Sequence, residues 1–446
     1  MPLDGRRFGQ REGVSNVRFL TTLVLAGVSV AVQADRTTTT TSQSANPVVQ
    51  WNRNLLSIVR TPGAQPSTIH PTRSFAILHA AIYDSVNAID QTHTPYRVTV
   101  RNVSRRASQD AAAAAAAHDV LVTLYPTFKP TLDAELQASL ARVSRREGQT
   151  EGVLIGQAVA DQLLALRSND GSSAAPIPYV FGNTPGDYKS TPPNFPAQPQ
   201  FTHWAFVTPF ALMRADQFRP SPPPALASER YGEALNEVEA VGIGNSQIAT
   251  PEEALSGRCW NGAIQNYWNE IAQTAADTRH LTTAETARLF ALLNLSLADG
   301  VIAFYDAKYT YNFWRPVTAI GAADTDDNPE TTGNPNWLPE VGNTGPDPSY
   351  PGAHAVISAA GAEVLMSLLK RRHLDFDVTS EALPGVVRSF TSFSAAEEEA
   401  SSSRIFAGQH FRFDEVSGQQ LGRDIADFVV DHFLRRVHTQ GEDGVR

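Results

Sequence analysis

Residues 282–316 read TTAETARLFALLNLSLADGVIAFYDAKYTYNFWRP, and this stretch decides both the fold class and where to look for chemistry. Thr282 followed by Glu285 is a capping box, in which hydroxyl and carboxylate satisfy the free N–H groups of a helix start. The apolar run behind it predicts a helix to about Phe304. Lys308 and Arg315 are close to two helical turns apart, so both are expected on one helical face. Pro316 disfavours a helical Arg315 and is expected to end the element there. Arginine offers a planar fork of donors and lysine a mobile point charge, a combination suited to an anion with several oxygens.

Two later segments offer groups of the same kind. Tyr350-Pro351-Gly352-Ala353-His354 opens a helix-permissive run from Ala353 to Leu369. A helix N-terminus is a ready anion site, and Gly352 lets an anion approach the backbone closely. In Ser403-Arg404-Ile405-Phe406-Ala407-Gly408-Gln409-His410, the spacing of Arg404 and His410 fits one helix face poorly. The helix from about Ala395 is therefore expected to break near Gly408 and re-aim His410. Taken singly these features are bland: two spaced cations make a solvated face, and Pro-Gly makes a turn. Their joint occurrence and order carry the weight.

Set in Phe313-Trp314-Arg315-Pro316 and Arg404-Ile405-Phe406-Ala407-Gly408-Gln409-His410, the segments resemble the superfamily of vanadium-dependent haloperoxidases and type 2 acid phosphatases. The resemblance implies helical bundles with an oxyanion site at one end of the C-terminal bundle. In the haloperoxidase branch it implies vanadate as cofactor, ligated by His410. Lys308, Arg315 and Arg404 would then neutralise its oxygens, Gly352 and Ala353 would line it, and His354 would be the acid–base group. Lys308 would also polarise the bound oxidant. Hydrogen peroxide and a halide or small organic molecule would be the substrates. In the phosphatase branch the same groups would hold phosphate, with His410 as nucleophile and His354 protonating the leaving alcohol.

The long chain, its helical N-terminal half and His410-Phe411-Arg412-Phe413-Asp414 favour the oxidative branch. Asp414 is expected to orient His410 or to pair with Arg412. Two departures stand out. The family's Pro-Ser-Gly-His has Gly352 for its serine and Ala353 for its glycine, which removes a hydroxyl donor worth roughly 1.5–3 kcal/mol in charge-assisted settings. Asp347 stands where strong halide oxidisers carry an aromatic residue or histidine. A carboxylate there is expected to repel halide, disfavouring chloride relative to bromide, iodide or an organic sulfide.

Elsewhere the periodicity is helical, over 51–59, 75–89, 111–125, 132–143 and 153–166, with no alternating run long enough for a sheet. The expected fold class is all-α. Two long loops, Ser168–Leu226 and Gly321–Pro351, interrupt it, the second expected to rim the pocket. Residues 1–34 read as a signal peptide: Arg6, Arg7, Arg11 and Arg18 precede the apolar Phe19–Val32 and a Val32-Gln33-Ala34 cleavage pattern. The expected organisation continues with a flexible linker over 35–46, an N-terminal helical half over 47–220 and a C-terminal bundle carrying the site over 221–440. The implied localisation is secreted or periplasmic.

A formal net charge of −10 argues against nucleic acid as a partner. Stable membrane insertion is not expected, and a homodimer is left open. Cys259 is the single cysteine, so no intramolecular disulfide or cysteine-ligated metal centre is expected. His79 and Asp84 are expected to be buried helix-packing groups. Asp299 and Asp306 read either as partners of the site's cations or histidines, or as a solvated face. Asn102-Val103-Ser104 and Asn294-Leu295-Ser296 match the glycosylation acceptor pattern.

Overall fold

The computed structural model describes residues 46–143, 146–370 and 373–437. The expected signal peptide, and all of the expected linker except Asn46, lie outside the described residues. Five helices open the fold: α1 (Pro47–Arg60), α2 (Thr72–Asp90), α3 (Gln109–Leu124), α4 (Lys129–Ala141) and α5 (Arg146–Arg167). They match the predicted amphipathic runs with boundaries shifted by a few residues. The alanines of α3, Ala111–Ala117, are all buried. Their small size suits close packing, and side chains on Gly152 or Gly156 of α5 would collide with the backbone carbonyls of Ser108, the N-cap of α3, and of Ala112.

An irregular segment with one 3₁₀ turn at Trp204–Phe206 then leads to α6 (Glu229–Val241), α7 (Pro251–Cys259) and α8 (Ile264–Thr278). The central element is α9 (Thr283–Tyr311), started by the predicted Thr282–Glu285 capping box and running past Phe304. It is long and apolar enough to cross a membrane, but 94% of its most apolar window is buried in the protein core. After α10 (Pro316–Gly321) and the second long loop come α11 (Ala353–Leu369), strands β1 (His373–Thr379) and β2 (Val387–Ser392), α12 (Phe393–Phe406) and α13 (Arg412–His432).

The all-α architecture holds, with one small addition. β1 and β2 pair antiparallel as a two-stranded sheet. Its signal is the alternation of Leu374, Phe376 and Val378, buried between exposed neighbours, which is too short to stand out in a helical chain.

The described residues all fall in one compact unit. α2 packs along α9, which also touches α11 and α13, so helices from segments 47–220 and 221–440 share one core. Several polar groups inside this core are paired. Asp84 accepts the backbone N–H groups of Tyr96, Arg97 and Val98 at 2.6–3.0 Å, and His79 Nε2 lies 2.8 Å from Asn52 Nδ2. Asn294 is 1% exposed and exchanges amide bonds with Asn269, so its acceptor pattern is sterically closed.

Asp299 and Asp306 require a correction. Asp299 is buried and accepts from the backbone of Phe210, Ala211 and Leu212 at 2.6–2.7 Å. Asp306 pairs with Arg219 at 2.6 and 2.8 Å. Both tie the irregular segment to α9; neither attends a site cation, and neither lies on a solvated face.

Candidate active site

The site sits where α9 ends, α11 begins and the α12–α13 turn passes between them. α9 stops because Asn312 takes a left-handed conformation (φ 49°) and returns its N–H to the Lys308 carbonyl. The chain then runs extended, held by Tyr188 N–H on the Asn312 carbonyl and Trp314 N–H on the Gly186 carbonyl. Arg315 is therefore not on a helical face with Lys308. It is the extended N-cap of α10, and Pro316 begins that helix. A proline at a first helical position is as favourable as one that ends a helix, and here the first role wins. α11 covers the Ala353–Leu369 run that the sequence marks, with Gly352 as its N-cap and Pro351 just ahead of it.

The third segment behaves as its spacing predicts. α12 ends at Phe406, and Gly408 takes φ 75° at a place where a Cβ would strike the Gly242 carbonyl and Pro339. That turn swings His410 inward just before α13.

Lys308 is fully buried, donating to the carbonyls of Pro348 and Ser349 and lying 3.5 Å from Asp347 Oδ1. Arg315 donates through Nε to the Asp347 carbonyl at 2.8 Å and through Nη2 to the Asp347 carboxylate. Its Nη1 reaches the Gln409 carbonyl at 3.1 Å and His410 Nε2 at 3.0 Å. Arg404 donates to Asn261 Oδ1 at 2.9 Å and Gln409 Oε1 at 2.5 Å, while its Nε is buried without a partner. His410 Nδ1 lies 3.0 Å from Asp414 Oδ2, which also accepts from Ser349 Oγ at 2.5 Å. Arg412 pairs instead with Glu237, so Asp414 serves the imidazole. His354 Nε2 is 3.1 Å from the carbonyl oxygen of Trp260, the residue before Asn261.

Lys308, Arg315, Arg404 and His410 are thus joined through Asp347 and Gln409. His354 flanks them, and Gly352 abuts Glu415. Sequence reasoning missed Ser349, Gln409, Asn261 and Glu415. Neutral amides and hydroxyls carry no sequence signal, and Glu415 reads as an ordinary acid in the first turn of a helix.

The electrostatics follow from burial. Burial lowers Lys308 to about 8, with Asp347 opposing. Burial would lift the Asp347 carboxyl, but Lys308 and Arg315 outweigh it and hold it below the usual carboxylate value. Burial, then Arg315 and Lys308, push His410 well below an ordinary imidazole; burial and Arg404 do the same to His354. Burial raises Asp414 to about 6. A neutral His410 that donates from Nδ1 to Asp414 has its Nε2 lone pair among the cations, which is a ligand geometry.

A cleft of about 560 Å³ is lined by Gln200, Asn261, Asn343, Gly345, Pro346 and Gln409; Asn261 and Gln409 bond Arg404, and Gly345 lies against Arg315. The Gly321–Pro351 loop thus supplies part of the rim. Among the described residues no group of three or more His, Cys, Asp or Glu could hold a metal cation. The donor set is instead that of an oxyanion: buried cations, an idle Arg404 Nε and an imidazole lone pair. Vanadate fits such a set.

Comparison with known proteins agrees with this geometry. Residues 288–439 match the family model for the VCPO second helical-bundle domain. The vanadium chloroperoxidase of Curvularia inaequalis is 26% identical across 60% of this chain, and the match spans 57% of that protein's length. A bacterial vanadium-dependent iodoperoxidase structure superposes with a TM-score of 0.73 at 25% identity, covering 88% of this chain and 97% of its own. A holo bacterial vanadium-dependent chloroperoxidase shares the fold, with a TM-score of 0.64 at 15% identity and coverage of 85% and 95%.

Proposed function

We propose that the chain is a vanadate-dependent peroxidase of the superfamily of vanadium-dependent haloperoxidases and type 2 acid phosphatases. In this reading it uses hydrogen peroxide to oxidise bromide, iodide or a small organic substrate. The observation that carries the proposal is the buried meeting of Lys308, Arg315 and Arg404 around an Asp414-backed His410. The likeness to vanadium iodo- and chloroperoxidases favours vanadate over phosphate as occupant.

Bound vanadate would supply a Lewis-acidic centre that activates hydrogen peroxide for oxygen transfer. The chain's own residues do the rest. Asp414 accepts from His410 Nδ1 and so keeps the Nε2 lone pair available for the vanadium. Lys308, Arg315 and Arg404 place fixed positive charge around the oxygens in a water-poor pocket, where such charge is worth most. His354, held neutral by burial and Arg404, is able to take a proton and return it. Ala353 opens α11, where first-turn N–H groups have no partner within the helix. Asp347 occupies Arg315 and Lys308 and must share them with the oxyanion.

The test adds orthovanadate to the purified protein and measures halide-dependent halogenation with hydrogen peroxide, against hydrolysis of a phosphate ester. Bromide and iodide oxidation with negligible chlorination is expected, and His410→Ala should abolish it together with stoichiometric vanadate binding. Phosphate-ester turnover without vanadate-dependent oxidation would transfer the protein to the phosphatase branch. We also propose export through residues 1–34. N-terminal sequencing of the chain recovered outside the cytoplasm should start at Asp35, and an intact Met1 there would refute cleavage.

A further inference from the structure

Glu415 lies in the first turn of α13 and is 2% exposed, yet neither of its carboxyl oxygens has a hydrogen-bond partner. The group is not turned away from the site. Oε1 lies 3.8 Å from His410 Nδ1, and the carboxyl interacts electrostatically with Arg404, Lys308 and Arg315. Its position depends on a missing side chain. A Cβ built on Gly352 would fall 2.7 Å from Cδ and 2.8 Å from Oε2 of Glu415. The carboxyl therefore fills the room of a side chain at position 352, at the head of α11.

The neighbouring groups do not satisfy it. Asp414 Oδ2 already serves His410, Ser349 and the Phe411 N–H. Arg404 is committed through Nη2 to Asn261 and Gln409. A buried polar group left unmatched is costly, and natural chains keep one where a ligand completes it.

We propose that Glu415 is an oxyanion-contacting residue, its carboxyl hydrogen-bonding an oxygen of bound vanadate from the place a side chain at residue 352 would otherwise hold. The inference rests on the oxyanion reading above. The bond needs one proton between a carboxyl oxygen and an oxyanion oxygen, whichever of the two carries it. Glu415 and Gly352 thus act as a pair, the carboxyl on α13 doing what a hydroxyl on residue 352 would do from α11.

The experiment measures equilibrium binding of orthovanadate by calorimetry to the intact protein and to Glu415→Gln, Glu415→Ala and Glu415→Ala/Gly352→Ser variants, each checked for native near-ultraviolet circular dichroism. Glu415→Ala is expected to weaken binding tenfold or more. Glu415→Gln, which keeps the shape and a hydrogen-bonding tip, should stay within about threefold of the parent. The double variant should recover at least part of the loss, which a purely structural role for Glu415 would not allow. If the parent binds while Glu415→Ala binds equally well, or Glu415→Gln is as weak as Glu415→Ala, this inference alone is overturned. A parent that binds no orthovanadate defeats the preceding reading and takes this one with it.

Discussion

Asp347 shows how far a single position can be read. Its place before His354 marks it as a wall of the pocket, and as a free carboxylate it would repel an approaching halide by about 1–4 kcal/mol. The structure changes that sign argument. Asp347 is 9% exposed and bonded to both Arg315 and Lys308, so its charge is spent on them. Its effect on halide is therefore indirect: it reduces the positive charge the pocket offers. Asp347→Asn leaves two buried cations without their counter-ion, and breaking a buried pair from one side costs roughly 3–5 kcal/mol. The variant should melt well below the parent when free of oxyanion. Orthovanadate, able to replace the lost charge, should raise its melting temperature by more than it raises the parent's. Calorimetric scans with and without orthovanadate check this; equal stability without oxyanion would show that the ion pairs count for little. The cationic and imidazole residues of the site were legible because their types and order are rare together. Ser349, Gln409, Asn261 and Glu415 were not, because their roles exist only once distant segments meet.

Helices were the most legible elements, since a 3.6-residue apolar period survives in sequence wherever one face is buried. Less legible was how they end. Nothing in Lys308–Pro316 announces that Asn312 will turn left-handed, because the extended stretch behind it is fixed by Gly186 and Tyr188, from over a hundred residues earlier. The close approach of α13 to α11 was equally hidden. It depends on Gly418 and Gly422, where side chains would strike the carbonyls of Gly352 and Val356. That approach sets Asp414 and Glu415 against the head of α11. Gly422→Ala must push the helices apart or strain them, and overpacking of this kind costs about 1–3 kcal/mol. Its thermal midpoint should fall and its orthovanadate affinity should weaken with it. Gln420→Ala, on the exposed face of the same helix, should change neither. Parental affinity in Gly422→Ala would mean that the site tolerates a wider helix spacing.

At the scale of the molecule, one hydrophobic core runs from α1 and α2 through α9 to α11 and α13. The composition of residues 168–226 reads as either a linker or a site-lining loop; Asp299 and Asp306 bind that segment to the middle and end of α9, and its Gln200 lines the cleft. The N-terminal helices are thus part of the support of the element that carries Lys308. Because α9 is apolar on nearly every face, it needs neighbours all round, and α2 is one of them. A fragment spanning 221–446 would leave Asp299 buried without its backbone donors and expose the α2-facing side of α9. It should be insoluble or fail to bind orthovanadate, whereas unfolding of the whole chain in urea should give coincident transitions by tryptophan fluorescence and circular dichroism. A soluble fragment with parental orthovanadate affinity would show instead that the C-terminal helices form the site without help, and that the N-terminal helices serve some other purpose.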